Sequence, residues 1–197
     1  MILEGLITTR DADGRPHLAA MGPEVDEEAV ASGCIERLLL KPFATSLTAR
    51  NLVVAGEGVF QISDDVLLLA RTVVGGAPIP PLLAAEAVTG WRLADACRAW
   101  EFRIDSADRS GQRHRLEARV ERVHQGRPWA GFVRARHAVV EAAILVTRLH
   151  ILPIDDVRDQ FAALAVLVEK TGGQREAEAF ALLSSRVAEH ADGFPRG

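Results

Sequence analysis

Cysteine and lysine are nearly missing from this chain of 197 residues and tyrosine is missing altogether. Only Cys34 and Cys97 are present, at no spacing that would hold a metal, so a zinc site and a disulfide framework are both excluded. The same scarcity points to a reducing, cytoplasmic setting in which both thiols are packed and inert. No stretch reaches the ~18 uncharged apolar residues of a membrane span, and no basic leader precedes an apolar run in Met1 to Arg10, so neither spanning nor export is expected. A basic excess is lacking as well. With 23 Lys and Arg against 27 Asp and Glu, the net charge of −4 argues against a general nucleic-acid binder. Of the cationic residues only Lys41 and Lys170 are lysine, a bias that nucleotide composition explains more readily than chemistry. Scattered arginines therefore carry little signal, and a lysine is the more informative cation.

What is present is an ordinary globular balance, 48% apolar and 25% charged, in a chain long enough to bury roughly 70% of its extended surface without staples. The first half reads as strands. Ile2 to Thr9 is rich in β-branched residues, Asp11-Ala12-Asp13-Gly14 is a turn in which Gly14 can take positive φ, and His17 to Met21 completes a hairpin after Pro16. Val25 to Gly33 is polar and small and is expected to be a plain connection, and Ile35 to Lys41 is a strand that Pro42 ends. Thr45 to Val53 predicts one or two helical turns with Thr45 or Ser46 as N-cap, and Val59 to Ser63 resumes as a strand. Asp64-Asp65 caps a short helix at Val66 to Ala70, Gly75 to Pro81 is loop, and Leu82 to Asp95 shows no clean period. Ala99 to Ala107 and His114 to Gln125 read as two long strands. In the second, Leu116, Ala118 and Val120 alternate with charges, the pattern of a sheet with one wet face.

Helices follow. Arg134 to His150 is apolar except for a narrow stripe of Arg134, His137, Glu141 and Arg148. Pro153 and Asp155-Asp156 open a second helix that runs to Lys170, and Gln174 to His190 makes an αα-hairpin with it across Thr171-Gly172-Gly173. Strands first and helices after mean an α+β chain. The expected division is a β domain at residues 1–128, a helical subdomain at 129–192 and a loose tail at 193–197.

The densest cluster of hydroxyls, amide and cation is Lys41-Pro42-Phe43-Ala44-Thr45-Ser46-Leu47-Thr48-Ala49-Arg50-Asn51. A strand ending in lysine, a hydroxyl-bearing loop and a helix start bring donors and free backbone N–H groups together, as a phosphate group requires. The alternative is that Thr45 and Ser46 merely cap a helix and Asn51 closes its end. His137 and Glu141 stand one helical turn apart, as two metal ligands would, but no third ligand has a partner spacing, so a salt-bridged stripe is the better reading. Asp64-Asp65 and Asp155-Asp156 sit at helix starts and read as caps, not catalytic dyads. Gly75-Gly76 lacks the spacing and lysine of a phosphate-binding P-loop. Trp91, Trp100 and Trp129 read as core or interface anchors.

Ser46-x-Thr48-x-x-Asn51-Leu52, followed by a glycine turn and the strand Val59-Phe60-Gln61-Ile62, resembles the flavin-binding segment of the FMN-binding split-barrel superfamily, especially its flavin-reductase-like branch. Further marks resemble one small archaeal and bacterial family of such proteins. They are Glu4-Gly5-Leu6-Ile7-Thr8-Thr9, then His17-Leu18-Ala19-Ala20-Met21-Gly22, then Arg134-Ala135-x-His137-Ala138-Val139-x-Glu141-Ala142 with Thr147-Arg148-Leu149. Together they span residues 4 to 149. A proline near Ala20 and an asparagine near Val133, expected in related proteins, are absent.

The resemblance implies an antiparallel Greek-key split β-barrel carrying FMN, in a homodimer, with an appended C-terminal helical subdomain. It implies that Thr45, Ser46, Thr48 and Asn51 form the phosphate and ribityl segment, and that His17, Met21 and Gly22 lie on the hairpin near the isoalloxazine. For Met21 and Gly22 a core methionine and a tight turn are the alternative. Lys41 is added on charge grounds. The implied activity is that of a flavin-dependent oxidoreductase acting on a small molecule, with NAD(P)H as a candidate electron donor although no G-x-G-x-x-G fingerprint is present. A non-catalytic flavin carrier, sensor or dimeric scaffold is the alternative. A pyridoxamine-phosphate-oxidase-like enzyme, suggested by Arg37-Leu38-Leu39-Leu40-Lys41, ranks below both.

Overall fold

The computed structural model describes residues 1–75, 78–129 and 131–193. They form two compact units, one from Met1–Ser63 and Ile79–Trp129, the other from residues 64–78 and the chain from 130 onward.

The first unit opens with β1 (Gly5–Arg10) and β2 (Pro16–Met21), paired antiparallel from Gly5 with Met21 to Arg10 with Pro16. Their turn is fixed by the Asp11 carboxylate, which accepts the N–H groups of Asp13 and Arg15, and by Gly14 at φ +78°, where a side chain would be strained. The segment expected to be a plain connection holds a short helix, α1 (Glu27–Ser32). Asp26 caps it by accepting from Glu28 and Ala29, and Gly33 ends it at φ +73°. Then come β3 (Arg37–Leu40), α2 (Leu47–Ala55), β4 (Glu57–Ile62), β5 (Leu82–Ala84), β6 (Trp91–Leu93), β7 (Arg98–Asp108) and β8 (Arg115–Gln125).

Six strands make one antiparallel sheet in the order β2-β1-β4-β7-β8-β3. The backbone of Glu24 pairs in both directions with Leu39 of β3 and bridges to Ile2 ahead of β1, which ties the β3 edge back to the start of the chain and closes the sheet as a split barrel. The inner face carries Ile7, Phe60, Trp100, Phe102, Leu116 and Leu38, all buried, with Leu52 of α2 packed against them. The alternation expected in β8 is what supplies Leu116, Ala118 and Val120 to that core. Phe60 and Trp100 stack with ring centroids 5.7 Å apart.

The outer face is polar, and it explains Leu82 to Asp95. Those residues form the β5–β6 hairpin, whose loop is held by side chains of the sheet instead of by a pattern of its own. The Glu101 carboxylate, with no exposure at all, accepts the N–H groups of Glu86 (2.7 Å), Ala87 (2.5 Å) and Val88 (3.1 Å) and lies 2.6 Å from His124 Nε2. Glu57 accepts from Thr89, and Gln61 accepts from Leu93 while donating to Thr8. Elsewhere on this face runs a continuous chain of opposite charges: Arg37 to Asp105 (3.1 Å), Asp105 to Arg119 (3.7 Å), Arg119 to Glu121 (3.0 Å), Glu121 to Arg103 (4.0 Å) and Arg103 to Glu57 (3.2 Å). Of the two thiols Cys97 is buried, whereas Cys34 is exposed, which corrects the expectation that both are packed.

The second unit contains α3 (Val66–Val74), α4 (Arg134–Thr147), α5 (Ile154–Thr171) and α6 (Gln174–Asp192). Val66–Val74, placed by sequence inside the 1–128 stretch, pack with the other helices. Asp65 caps α3 by accepting from Leu68 at 3.1 Å. Leu67 and Ala70 of α3 meet Ala138, Val139 and Ala142 of α4, Val157 and Phe161 of α5, and Leu183 of α6 in one buried cluster. The stripe of Arg134, His137, Glu141 and Arg148 is exposed. Arg136 binds two carboxylates from different parts of the chain, Asp64 at 2.7 Å and Glu176 at 2.9 Å.

The hydrogen bond from Arg136 holds the Glu176 carboxyl below its ordinary value, against burial that would raise it. A carboxylate with a depressed pKa in the folded state stabilises above the unfolded-state pKa, and that stabilisation disappears as pH falls through the folded value. Unfolding free energy from urea titrations is therefore expected to hold steady near neutral pH and to fall below the usual carboxylate range. Glu176→Gln should flatten part of that fall, and an unchanged profile in this variant would remove Glu176 from the account.

Candidate functional site

The hydroxyl-rich cluster lies where β3 runs into α2. Ser46 is the N-cap: its Oγ accepts from Ala49 N at 3.1 Å, and its own N–H donates to Phe43 O at 2.9 Å, closing a turn over residues 43–46. Capping leaves the Ser46 O–H free to donate. The N–H groups of Leu47 and Thr48 belong to the first helical turn, which has no intrahelical acceptor for them. Thr45 is exposed beside them.

Thr48 and Asn51 point the other way and are buried. Asn51 Nδ2 donates to Thr9 Oγ1 on β1 at 3.0 Å, and Thr48 Oγ1 lies 3.3 Å from His17 Nε2 on β2. Thr9 and His17 are register partners, so both side chains leave the hairpin on the same face, the face that receives α2. The spacing Ser46-x-Thr48-x-x-Asn51 thus has two jobs. Its first residue presents a hydroxyl outward, while Thr48 and Asn51 fix the helix to the hairpin. Burial lowers the His17 pKa more than the nearby Asp11 charge raises it, so the ring is neutral at pH 7 and offers hydrogen bonding without charge.

A second wall, which sequence reasoning missed, is built by residues 112–114 ahead of β8. Ala44 N donates to Gln112 O (2.9 Å), His114 N donates to Pro42 O (3.0 Å), and Phe43 bridges antiparallel to Arg113. Arg113 Nη1 donates to Lys41 O at 2.9 Å, and the guanidinium sits 3.6 Å from the centroid of the Phe43 ring. Two short backbone segments, distant in sequence, therefore clamp the hydroxyl loop.

The other expected residues are placed differently. Lys41 sends its ammonium to the Glu24 carboxylate, so it is not a free cation at the loop. Met21 packs on the barrel core. Gly22 comes close to its own chain: a Cβ there would stand 2.7 Å from Ile2 Cγ2 and 2.9 Å from Glu4 Oε2. Met21 ends β2, about 13 Å from His17 at ~3.3 Å per residue, and Gly22 follows it beyond the strand. The structure thus brings together Thr45, Ser46, Thr48, Asn51 and His17 and sets Lys41, Met21 and Gly22 apart from them.

Chemically the loop presents hydroxyls, two open amides and a guanidinium, with no carboxylate among them, a set suited to a phosphate-like dianion. An open groove of about 430 Å³ beside α1 has the opposite character, being lined by Glu24, Asp26, Glu36 and Glu117 as well as Arg37 and Arg115. Among the described residues no group of three or more His, Cys, Asp or Glu could hold a metal ion. His137 stacks on Phe132, and of the aspartates at 64 and 65 one binds Arg136 while the other caps α3. No helix of the described residues is long and apolar enough to cross a membrane.

Residues 3–127 match the N-terminal domain, and residues 133–185 the C-terminal part, of the family described as protein of unknown function (DUF447). The chain belongs to the DUF447 family. No curated protein matches it. Among solved structures, this DUF447 chain is similar to an FMN-bound DUF447 protein from Methanosarcina mazei, at 19% identity and a TM-score of 0.77, over 94% of each chain. Two others share the fold over less of the chain. One is component B of nitrilotriacetate monooxygenase from Bacillus cereus (18% identity, TM-score 0.51, 64% of this chain and 71% of that one). The other is an FMN-binding protein from Thermus thermophilus with bound 1-cyclohex-2-enone (14% identity, TM-score 0.51, 66% and 78%). These likenesses concern the fold: an α+β chain with a six-stranded antiparallel sheet of the flavin-reductase-like kind.

Proposed function

We propose that this DUF447 chain is an FMN-binding flavoprotein and works as a flavin-dependent oxidoreductase on a small molecule. The observation that carries the proposal is the carboxylate-free donor set at the start of α2, made of Thr45, Ser46 and the Leu47 and Thr48 amides. It fits the flavin's terminal phosphate in charge and in hydrogen-bond type: a dianion accepts, and every group there donates. The FMN-bound DUF447 protein from Methanosarcina mazei supports the same ligand. His17 and Asn51 contribute by holding α2 against the hairpin, which keeps the loop in one shape before any ligand arrives. When bound, the flavin supplies hydride or electron transfer, and the protein supplies anchoring and exclusion of water.

The experiment is the visible absorption spectrum of protein purified without added cofactor, followed by heat release and identification of the ligand. Released FMN supports the proposal, whereas a colourless protein that also refuses added FMN overturns it. Ser46→Ala combined with Thr48→Ala is expected to weaken FMN binding at least tenfold, since the first change removes a hydroxyl from the phosphate loop and the second removes the contact with His17 that holds α2 to the hairpin. Full flavin content in that double variant would move the site elsewhere. NAD(P)H oxidation by the FMN-loaded protein separates an enzyme from a carrier, turnover being the expected result.

A further inference from the structure

We infer that Arg113 is the cation that reads the flavin phosphate, and that it sets a preference for FMN over unphosphorylated riboflavin. This rests on the FMN reading of the α2 site given above. Three observations single Arg113 out. Its guanidinium is already positioned, lying 3.6 Å from the centroid of the Phe43 ring with Nη1 donating to Lys41 O. Among the described residues one of its five N–H donors is used, on Lys41 O, which leaves four in a fork that matches phosphate oxygens. Among the described residues it makes no ion pair with a carboxylate, unlike Arg37, Arg103, Arg115, Arg119 and Arg122 nearby on the sheet.

The place is right as well. Phe43, on whose ring Arg113 sits, is the first residue of the turn that the Ser46 N–H closes by donating to Phe43 O, and Ser46 is the helix cap, so the cation and the cap share one loop. Lys41, the cation that local sequence favoured, is held by Glu24 and would have to break that pair to turn toward the loop. Seated on an aromatic face with one edge on a carbonyl, Arg113 loses little freedom on meeting an anion, whereas a free lysine would lose about four rotors' worth.

The test titrates deflavinated full-length protein with FMN and with riboflavin, following flavin fluorescence. The wild type is expected to prefer FMN. Arg113→Gln should lower that preference about 10- to 100-fold, the worth of a charge-assisted contact, while leaving riboflavin binding within about twofold. Arg113→Lys should restore part of it, which a merely structural role for the side chain would not do. A preference that survives in Arg113→Gln overturns the assignment, as does one that collapses in Lys41→Gln. If the wild type binds neither flavin, it is the FMN reading itself that fails. A variant that loses FMN and riboflavin equally has lost the loop and not the phosphate contact, which also counts against the assignment.

Discussion

Replacing Arg136 by alanine is expected to destabilise the helical unit by about 3 kcal/mol, because two carboxylates would lose the cation they share. The Asp64 side chain is 4% exposed and that of Glu176 11%, so water cannot take over the missing bonds cheaply. The geometry adds to the loss. Arg136 uses Nη1 for Asp64 and Nε for Glu176, and so joins the segment before α3 to the start of α6 through one planar fork on α4. Arg136→Lys should recover little, since an ammonium cannot span both partners from one position. Thermal unfolding followed at 222 nm reads the effect directly. A midpoint within a degree or two of wild type would mean that the apolar cluster holds the unit without the triad.

A comparable loss, about 3 kcal/mol, is expected for Glu101→Gln on the barrel's outer face. Four donors converge on this carboxylate: three successive backbone N–H groups from residues 86–88 and the His124 ring. Glutamine keeps the shape but presents an NH₂ to one side of that set, placing donor against donor. Burial raises the Glu101 pKa, and the amides and His124 outweigh it, so the carboxyl is held below its ordinary value and stays ionised at pH 7. The damage should be local first. Hydrogen exchange at Glu86, Ala87 and Val88 is expected to speed up more than at Phe60 or Phe102, and equal protection in variant and wild type would show that the hairpin is held by something else.

Legibility in the sequence followed how local each cause was. Ser46 and Asp65 are caps, and a cap acts within three residues, so both helix starts could be read from the chain alone. The period-two pattern of β8 likewise announced which side chains face the core. Leu82 to Asp95 could not be read that way, because its hairpin takes its shape from Glu57, Gln61 and Glu101 on other strands. The short α1 escaped notice because none of its six residues is fully buried and only Ala29 and Val30 touch the barrel core, too few to set up a period; Asp26 and Gly33 mark its ends.

At the candidate site the same division holds. The hydroxyls were visible as a motif, but Lys41 looked like the free cation because its partner, Glu24, lies 17 residues away. Arg113 reaches the loop only because the β7–β8 ribbon turns back on residues 42–44, and in an arginine-rich chain nothing local distinguished it. Asp64-Asp65 showed a helix start correctly while saying nothing about which residues that helix would pack against.

The distance along the chain between α3 and the helices that cover it also spreads their synthesis out in time. The chain leaves the ribosome from its N-terminus, and α3 ends at Val74, whereas α4 starts at Arg134 and α6 at Gln174. At roughly 5 to 20 residues per second, the last helix that covers α3 begins to emerge about 5 to 20 s after α3 itself. Until α4 begins to emerge, about 3 to 12 s after α3 at that rate, Val66, Leu67 and Ala70, buried in the finished protein, have none of the surface that will cover them, and until α6 follows they have only part of it. The nascent chain therefore carries a sticky helix through the synthesis of four strands, and a holdase that masks short apolar helices would find its substrate in those nine residues.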